Sequence, residues 1–499
     1  MLHFNLSDFT ASVLCEGTNN DAVLDTELSD NTLTLSLTAK ASLPRFVTLR
    51  WIFESEPNIK VLGDTWERSY GNLEFTALKD NDRYLPWYFI ADANEMQFCF
   101  GVKTQPNAFV SFRYDESGIT AWIDCRNGSS GVALSGRTIR LCEFVFCKYF
   151  SADTFSCLQD YCKKLCDHPL LPDRMIYGGN NWYYAYGKSD YEMIVADAAL
   201  QAKLAEGLEN RPYMVIDDGW QMYGCAGPWL PNKKFGDMKA LADEIKAMGV
   251  IPGIWIRPLY SREKSIRKDM LLTRQKEKEY LDPTVPAVQE LLRADVTRIR
   301  EWGYQLLKYD YTTADLFGLY CREFTKTISE AEDWHFFDRS KTNAEIVLDL
   351  YRLIREAAGD MLLIGCNTVS HLCAGLVHLN RTGDDTSGRE WDRTLTMGVN
   401  TLAFRLAQND AFYMADADCV GILKDYIPWD KNRQWLDLLA HSDTALFVSC
   451  DHADDEKAAA LSAAYREAQN KHNLRPLDWE STRTPEQWRT DQGELHYKW

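Results

Sequence analysis

No stretch of about 18 consecutive apolar residues occurs in this 499-residue chain, so no membrane-spanning helix is expected. The first residues, "MLHFNLSDFTASVLCEG", lack a basic segment followed by a long apolar run, which argues against a secretory leader. Positive charge is in deficit: 55 Lys and Arg stand against 73 Asp and Glu, a formal net charge of −18. Nucleic-acid binding needs clustered cations to neutralise phosphates, so that partner class is not expected. No GxGxxG follows an apolar run, which removes the dinucleotide-binding signature; no cofactor is expected. The 14 Cys form no paired CxxC with a nearby His. Cys157, Cys162 and Cys166 in "CLQDYCKKLC" read as reduced residues on a helix, and no metal site is expected. What remains is a cytoplasmic enzyme acting on a small, neutral or cationic molecule, with homo-oligomerisation left open. Aromatic residues are plentiful, with 16 Trp, 24 Tyr and 22 Phe, enough to stack flat sugar faces or to fill large cores.

A chain of this length exceeds one ordinary core. Residues 1–150 repeat short alternating segments such as "NTLTLSLTAKA", "RFVTLRWIF" and "RTIRLCEFVFCKYF" between Asn, Asp and Gly turns. Period-two patterning repeated this often predicts an antiparallel β-sandwich. Residues 151–173 read as a helical connector. From 174 to 471, apolar strands alternate with amphipathic helices: "RMIYGGNNW", "YMVIDDGW", "VIPGIWIRP", "YQLLKYDY", "MLLIGCN", "LVHLNRTGDD", "AFYMADADCVG" and "TALFVSCD" are eight strand candidates. That rhythm predicts a (β/α)8 barrel, an α/β fold. The link between "LLIGCN" and "LVHLN" is too short for a full helix, and a doubly wound sheet is the structural alternative. Residues 472–499 are polar and Trp-containing, suited to a very short C-terminal β segment.

Unusual polar residues fall at the ends of these strands. Asp217 and Asp218 end the second, Trp255 and Arg257 the third, Lys308 and Asp310 the fourth, Cys366 and Asn367 the fifth. Arg381, Asp384 and Asp385 follow the sixth, and Asp416 and Asp418 the seventh. Strand C-termini form the active face of an α/β barrel, so these groups should converge on one mouth. A single Asp at such a position caps a helix or makes a turn. Repetition after strand upon strand is not explained that way. Converging carboxylates suit glycoside hydrolysis, where one attacks and another protonates the leaving oxygen. They also suit a divalent cation. Lys308 opposes a metal at its own position and, set beside Asp310, should keep that carboxylate ionised.

Together "VIDDGWQ", "LLKYDY", "RTGDDTSG" and "ADADCVG" resemble the α-galactosidases of glycoside hydrolase family 36 and the related family 27. The resemblance covers about residues 174–451 in order, and the N-terminal β-domain also looks like that of family 36. It implies a retaining exo-glycosidase that removes terminal α-linked galactose from a small carbohydrate substrate. It gives Asp310 as nucleophile, Lys308 as a sugar-hydroxyl ligand, and Asp217 and Asp218 as the acidic pair gripping O4 and O6. Trp182 becomes a pocket wall and Cys366 the residue after the fifth strand. Trp255, Asn367 and Asp418 complete the substrate-binding set. The acid/base falls on Asp384, with its neighbour Asp385 left as the alternative, and Arg381 is a ligand-binding arginine. Such a nucleophile needs a low pKa and such an acid a raised one, with the two carboxyls roughly 5–5.5 Å apart.

The sequence departs from the family at three places. Arg257-Pro258 stands where an acidic residue usually precedes proline, Asn367 replaces a small residue, and a large C-terminal β-domain is missing. Arg381 also sits one residue nearer the acid/base than in some members. An α-N-acetylgalactosaminidase or a galactosyl transferase would use the same site. A non-catalytic sugar-binding protein would be expected to lose Asp310 or Asp384, and a metal-dependent hydrolase would stop in chelator.

Overall fold

Alternating side chains over the first 150 residues close a core between two antiparallel sheets. A computed structural model describes residues 4–151, 153–274, 280–318, 325–328, 332–450 and 452–499. One sheet has five strands, with Phe9–Glu16, Leu43–Ile52, Gly118–Asp124 and Phe109–Asp115 adjacent in that order. The other has seven and is built around Thr32–Thr38, Thr138–Tyr149 and Gln97–Val102. Every second residue of Thr32–Thr38 is buried, as period-two patterning requires. Trp51, Phe100 and Phe144 meet between the sheets in edge-on and stacked contacts. Helix Thr154–Leu165 buries Cys157 and Cys162 beneath this sandwich, so its cysteines are packing residues.

The eight apolar runs become one closed parallel barrel. Its strands are β1 (Tyr177–Asn180), β2 (Tyr213–Ile216), β3 (Ile251–Ile256), β4 (Leu306–Tyr309), β5 (Leu362–Gly365), β6 (Leu379–Arg381), β7 (Met414–Gly421) and β8 (Ala445–Ser449). Val215, Leu306, Ile364, Leu379 and Phe447 fill the interior. Helices follow the strands: α1 (Tyr191–Leu204), α2 (Met238–Ala247), α3 (Pro286–Glu301), α4 (Asn343–Ala358), α5 (Ser370–Cys373), α6 (a composite over 391–408), α7 (Trp429–Ala440) and α8 (Asp455–Glu467). Their starts are written locally. Asp190, Asp237 and Asp454 accept backbone N–H bonds at the N-termini of α1, α2 and α8, and Thr342 with Glu345 forms a capping box on α4.

The short β5–β6 link yields only the single turn α5, and the β-sandwich covers the resulting gap. Trp87 stacks on His371 of α5 at 4.9 Å, Gln105 Nε2 donates to Ala374 O at 2.8 Å, and Ser370 N donates to Trp66 O at 3.0 Å. Burial in this apolar seam pushes His371 down to about 3, so it packs as a neutral ring. The C-terminal residues form a small three-stranded sheet from Arg475–Pro476, Gln487–Thr490 and Gly493–His496. Among the described residues, no helix is long and apolar enough to cross a membrane.

Candidate active site

At the C-terminal end of β4 the chain stops pairing at Tyr309. Asp310 N still donates to Ile256 O at 3.0 Å, and Tyr311 then turns left-handed with φ 64°. The two charges of "LLKYD" take different partners. Lys308 does not pair with Asp310 as the strand spacing suggested; its Nζ donates to Asp217 Oδ2 at 2.8 Å. Burial alone would lower the Lys308 pKa; Asp217 more than offsets that and raises it well above its ordinary value. The Asp310 carboxylate accepts from Tyr311 N at 2.8 Å and from Trp255 Nε1 at 3.3 Å. Trp255 is therefore a direct partner of the carboxylate.

Asp217 is tied further. Asn180 Nδ2 donates to Oδ2 at 2.9 Å, and Asp218 N donates to Oδ1 at 2.9 Å. Asp218 accepts from Gln221 and from Cys225 N on Oδ1, while burial raises its pKa. The acidic pair thus splits into an anchor, Asp217, and a half-buried carboxylate, Asp218.

After β6 two consecutive aspartates lie in different surroundings. Both oxygens of Asp384 are held, Oδ1 by Arg68 at 3.0 Å and Oδ2 by Arg393 at 2.7 Å. Asp385 is held on Oδ1 alone, by Arg381 at 3.2 Å and Arg68 at 3.7 Å. Its side chain is 36% exposed against 13% for Asp384. Burial would raise the Asp385 pKa, but Arg381, Arg68 and Lys308 reverse this and hold it at about 2.

Arg381 also contacts Cys366 Sγ at 3.4 Å and Asp418 Oδ2 at 3.1 Å. Burial, then the Asp310 charge, pushes the Cys366 thiol up, so it stands in the mouth as a neutral group. Asp418 Oδ2 additionally accepts from the Tyr183 hydroxyl and from Thr386 N at 2.8 Å. It ties β7 to the end of β6 and lines a small cavity with Lys308 and Arg381. Asn367 is corrected. It is fully buried, its Nδ2 donates to Glu67 Oε2 at 2.6 Å, and its Oδ1 accepts from Ala314 N at 3.3 Å. It holds a neighbouring segment because the N-terminal domain covers the end of β5. Trp182 stays half-buried beside Tyr186, ring centroids 4.9 Å apart, on the rim. Arg257, the departure after β3, is neutralised by a bidentate pair with Asp315 at 2.6 and 2.9 Å and lies over the Tyr311 ring.

Arg68 and Glu67 were not identified from sequence. They lie in "DTWERSY", residues 64–70 of the β-domain, which runs into the barrel mouth. Ser69 N donates to Thr382 O at 2.8 Å and Asp384 N to Ser69 O at 2.9 Å, adding a rung of pairing beside β6. The only hint in the chain was a cluster of charges among aromatics, with nothing to say which domain they face. Arg393, Asn180 and Tyr183 were likewise missed.

No protein-family model matches the chain, and no curated protein matches it in sequence. Solved structures match closely in shape. An α-galactosidase from Thermus thermophilus, solved with p-nitrophenyl α-D-galactopyranoside, is 16% identical, with 97% of this chain and 99% of that one covered at a TM-score of 0.66. A family 36 α-galactosidase from Geobacillus stearothermophilus, in complex with 1-deoxygalactonojirimycin, is 14% identical over 97% of this chain and 77% of its own, TM-score 0.61. An α-galactosidase from Lactobacillus brevis is 13% identical over 95% and 72%, TM-score 0.61. The chain therefore shares its fold, sandwich and barrel together, with family 36 α-galactosidases.

Proposed function

We propose that this protein is a retaining exo-glycoside hydrolase that removes terminal α-linked galactose from small carbohydrates. The observation that supports the reading is the bonding that links successive strand ends of the barrel, Lys308 to Asp217, Trp255 to Asp310 and Arg381 to Asp385 and Asp418. Asp310 is the nucleophile. It attacks the anomeric carbon as the aglycone oxygen leaves and forms a β-linked glycosyl-aspartate; water then releases the sugar with its α configuration restored.

Of the two neighbouring aspartates, the surroundings favour Asp385 as acid/base, in place of Asp384 as the sequence suggested. Asp384 is consumed by two arginines, whereas Asp385 Oδ2 has no partner among the described residues. In the free site Asp385 is ionised, so proton donation requires one of its cations to withdraw. Arg68 is the candidate, because its contact to Asp385, 3.7 Å against 3.2 Å for Arg381, is the longer of the two. Asp218 Oδ2 and the remaining ammonium protons of Lys308 are the hydroxyl-binding groups. A buried carboxylate left unpaired by an epimer would discriminate strongly against it.

A panel of nitrophenyl α-galactoside, α-N-acetylgalactosaminide, α-glucoside and β-L-arabinopyranoside tests this. The α-galactoside should be cleaved with the highest kcat/KM. Failure to cleave any of the four would overturn the reading.

A further inference from the structure

Far from the mouth, at the other end of β8, two helix C-termini converge. His441 caps α7, and Glu467 is the last residue of α8. His472 begins the segment that leads into the C-terminal sheet. Among the described residues, one ring nitrogen of each histidine and one Glu467 oxygen lie within 4.8 Å of one another.

The details are those of a ligand set. His441 Nδ1 lies 2.8 Å from Asp437 O; donation to that carbonyl leaves the Nε2 lone pair free. A second ring nitrogen fixed by a backbone carbonyl is the usual arrangement of metal-binding imidazoles. His472 is fully buried, yet its Nδ1 has no hydrogen-bond partner, an expense that buried polar atoms rarely carry. Its Nε2 lies 3.2 Å from Glu467 O and 3.4 Å from Glu467 Oε1, and donation to that carbonyl leaves the Nδ1 lone pair free. Two ligand atoms on a tetrahedral zinc ion are about 3.3 Å apart. The imidazoles stand 4.7 Å apart. Beside them opens a cavity of about 480 Å³, lined by Asp430, Asp437, His441, Glu467 and His496, which supplies an entry path and room for a water ligand. The negative ends of two helix dipoles point into the same place.

We propose that His441, Glu467 and His472 bind a divalent transition-metal ion of the zinc class, fastening the ends of α7 and α8 to the C-terminal sheet. Two imidazoles and one carboxylate suit zinc rather than magnesium or calcium, which prefer all-oxygen shells. The site lies at the opposite end of the barrel from Asp310, so its role is structural and independent of the proposed chemistry.

The test uses the full chain, stripped with chelator and dialysed against Zn²⁺, with bound metal measured. Wild type should take up about one ion per chain and melt a few degrees higher with it. His441→Ala and Glu467→Gln, at positions exposed enough to preserve folding, should bind at least about tenfold more weakly and lose the zinc-dependent rise in Tm. A Co²⁺-loaded wild type should show a tetrahedral visible spectrum that both variants lack. Absence of stoichiometric binding by wild type, or equal binding by both variants, would overturn the proposal.

Discussion

Two arginine–aspartate pairs lie four residues apart in the segment 64–70, and they do different work. Asp64 pairs with Arg405 at 3.0 Å, and both side chains are 1% exposed. Trp87 Nε1 and Gln408 Nε2 each donate to the other Asp64 oxygen at 2.8 Å. Arg405 goes on to Glu67 O, Thr382 O and Ser370 Oγ, stapling the sandwich to β6 and α5. Arg68 pairs with Asp384 at the same distance, 3.0 Å, but it also reaches Asp385 and Cys366 at the mouth. The closed pair is shut away from solvent and fixes the segment. The other keeps a charge where a substrate can compete for it. Distance alone does not separate a structural ion pair from a functional one; the neighbours do.

Around Asp384 and Asp385 the largest expected effect is on proton donation. Asp385→Asn should slow cleavage of galactosides with sugar aglycones about 10²–10⁴-fold, and that of nitrophenyl galactoside far less, because nitrophenolate leaves without a proton. Asp384→Asn should show no such dependence on the leaving group. If the dependence follows Asp384 instead, the two roles are exchanged. Asp64→Ala leaves Arg405 buried without its partner and should cost about 3–5 kcal/mol of stability, read from denaturant unfolding. Arg68→Ala should cost much less stability. It removes one of the cations that hold Asp385 ionised, so the alkaline limb of kcat on disaccharides should move up by about one pH unit or less. An unchanged limb would mean that Arg68 does not act on Asp385.

Another effect concerns the seam. Folded His371 stays neutral down to about pH 3, whereas the unfolded chain protonates near its ordinary value of about 6.5. The unfolded state binds more protons in that window, so stability is full above about pH 6.5 and declines toward pH 3. His378, lowered by burial to about 4, acts in the same direction. His371→Phe, which keeps a ring against Trp87, should flatten the decline; an unchanged profile of Tm against pH would remove His371 as its cause.

The barrel was legible in the chain because each buried strand is an apolar run ended by polar residues, and those ends are where the fold puts its mouth. The missing helix after β5 was legible as a short link, though not what covers it. Directions of side chains were not legible. Lys308 and Asp310 alternate as strand neighbours should, yet the strand ends between them and they take different partners, Asp217 for Lys308 and Tyr311 N with Trp255 Nε1 for Asp310. Asn367 follows β5 as expected but faces protein, and Asp418 lies within β7 rather than after it, bonded to Arg381, Tyr183 and Thr386. Arg68 could not be placed, since nothing in a β-sandwich sequence marks one loop as reaching into another domain.

The most direct measurement follows nitrophenyl α-galactoside hydrolysis by proton NMR in wild type and Asp310→Ala. Wild type should release α-galactose first, and Asp310→Ala should lose about 10⁴-fold or more in turnover. First release of β-galactose, or near-normal turnover by Asp310→Ala, would contradict a covalent attack by Asp310.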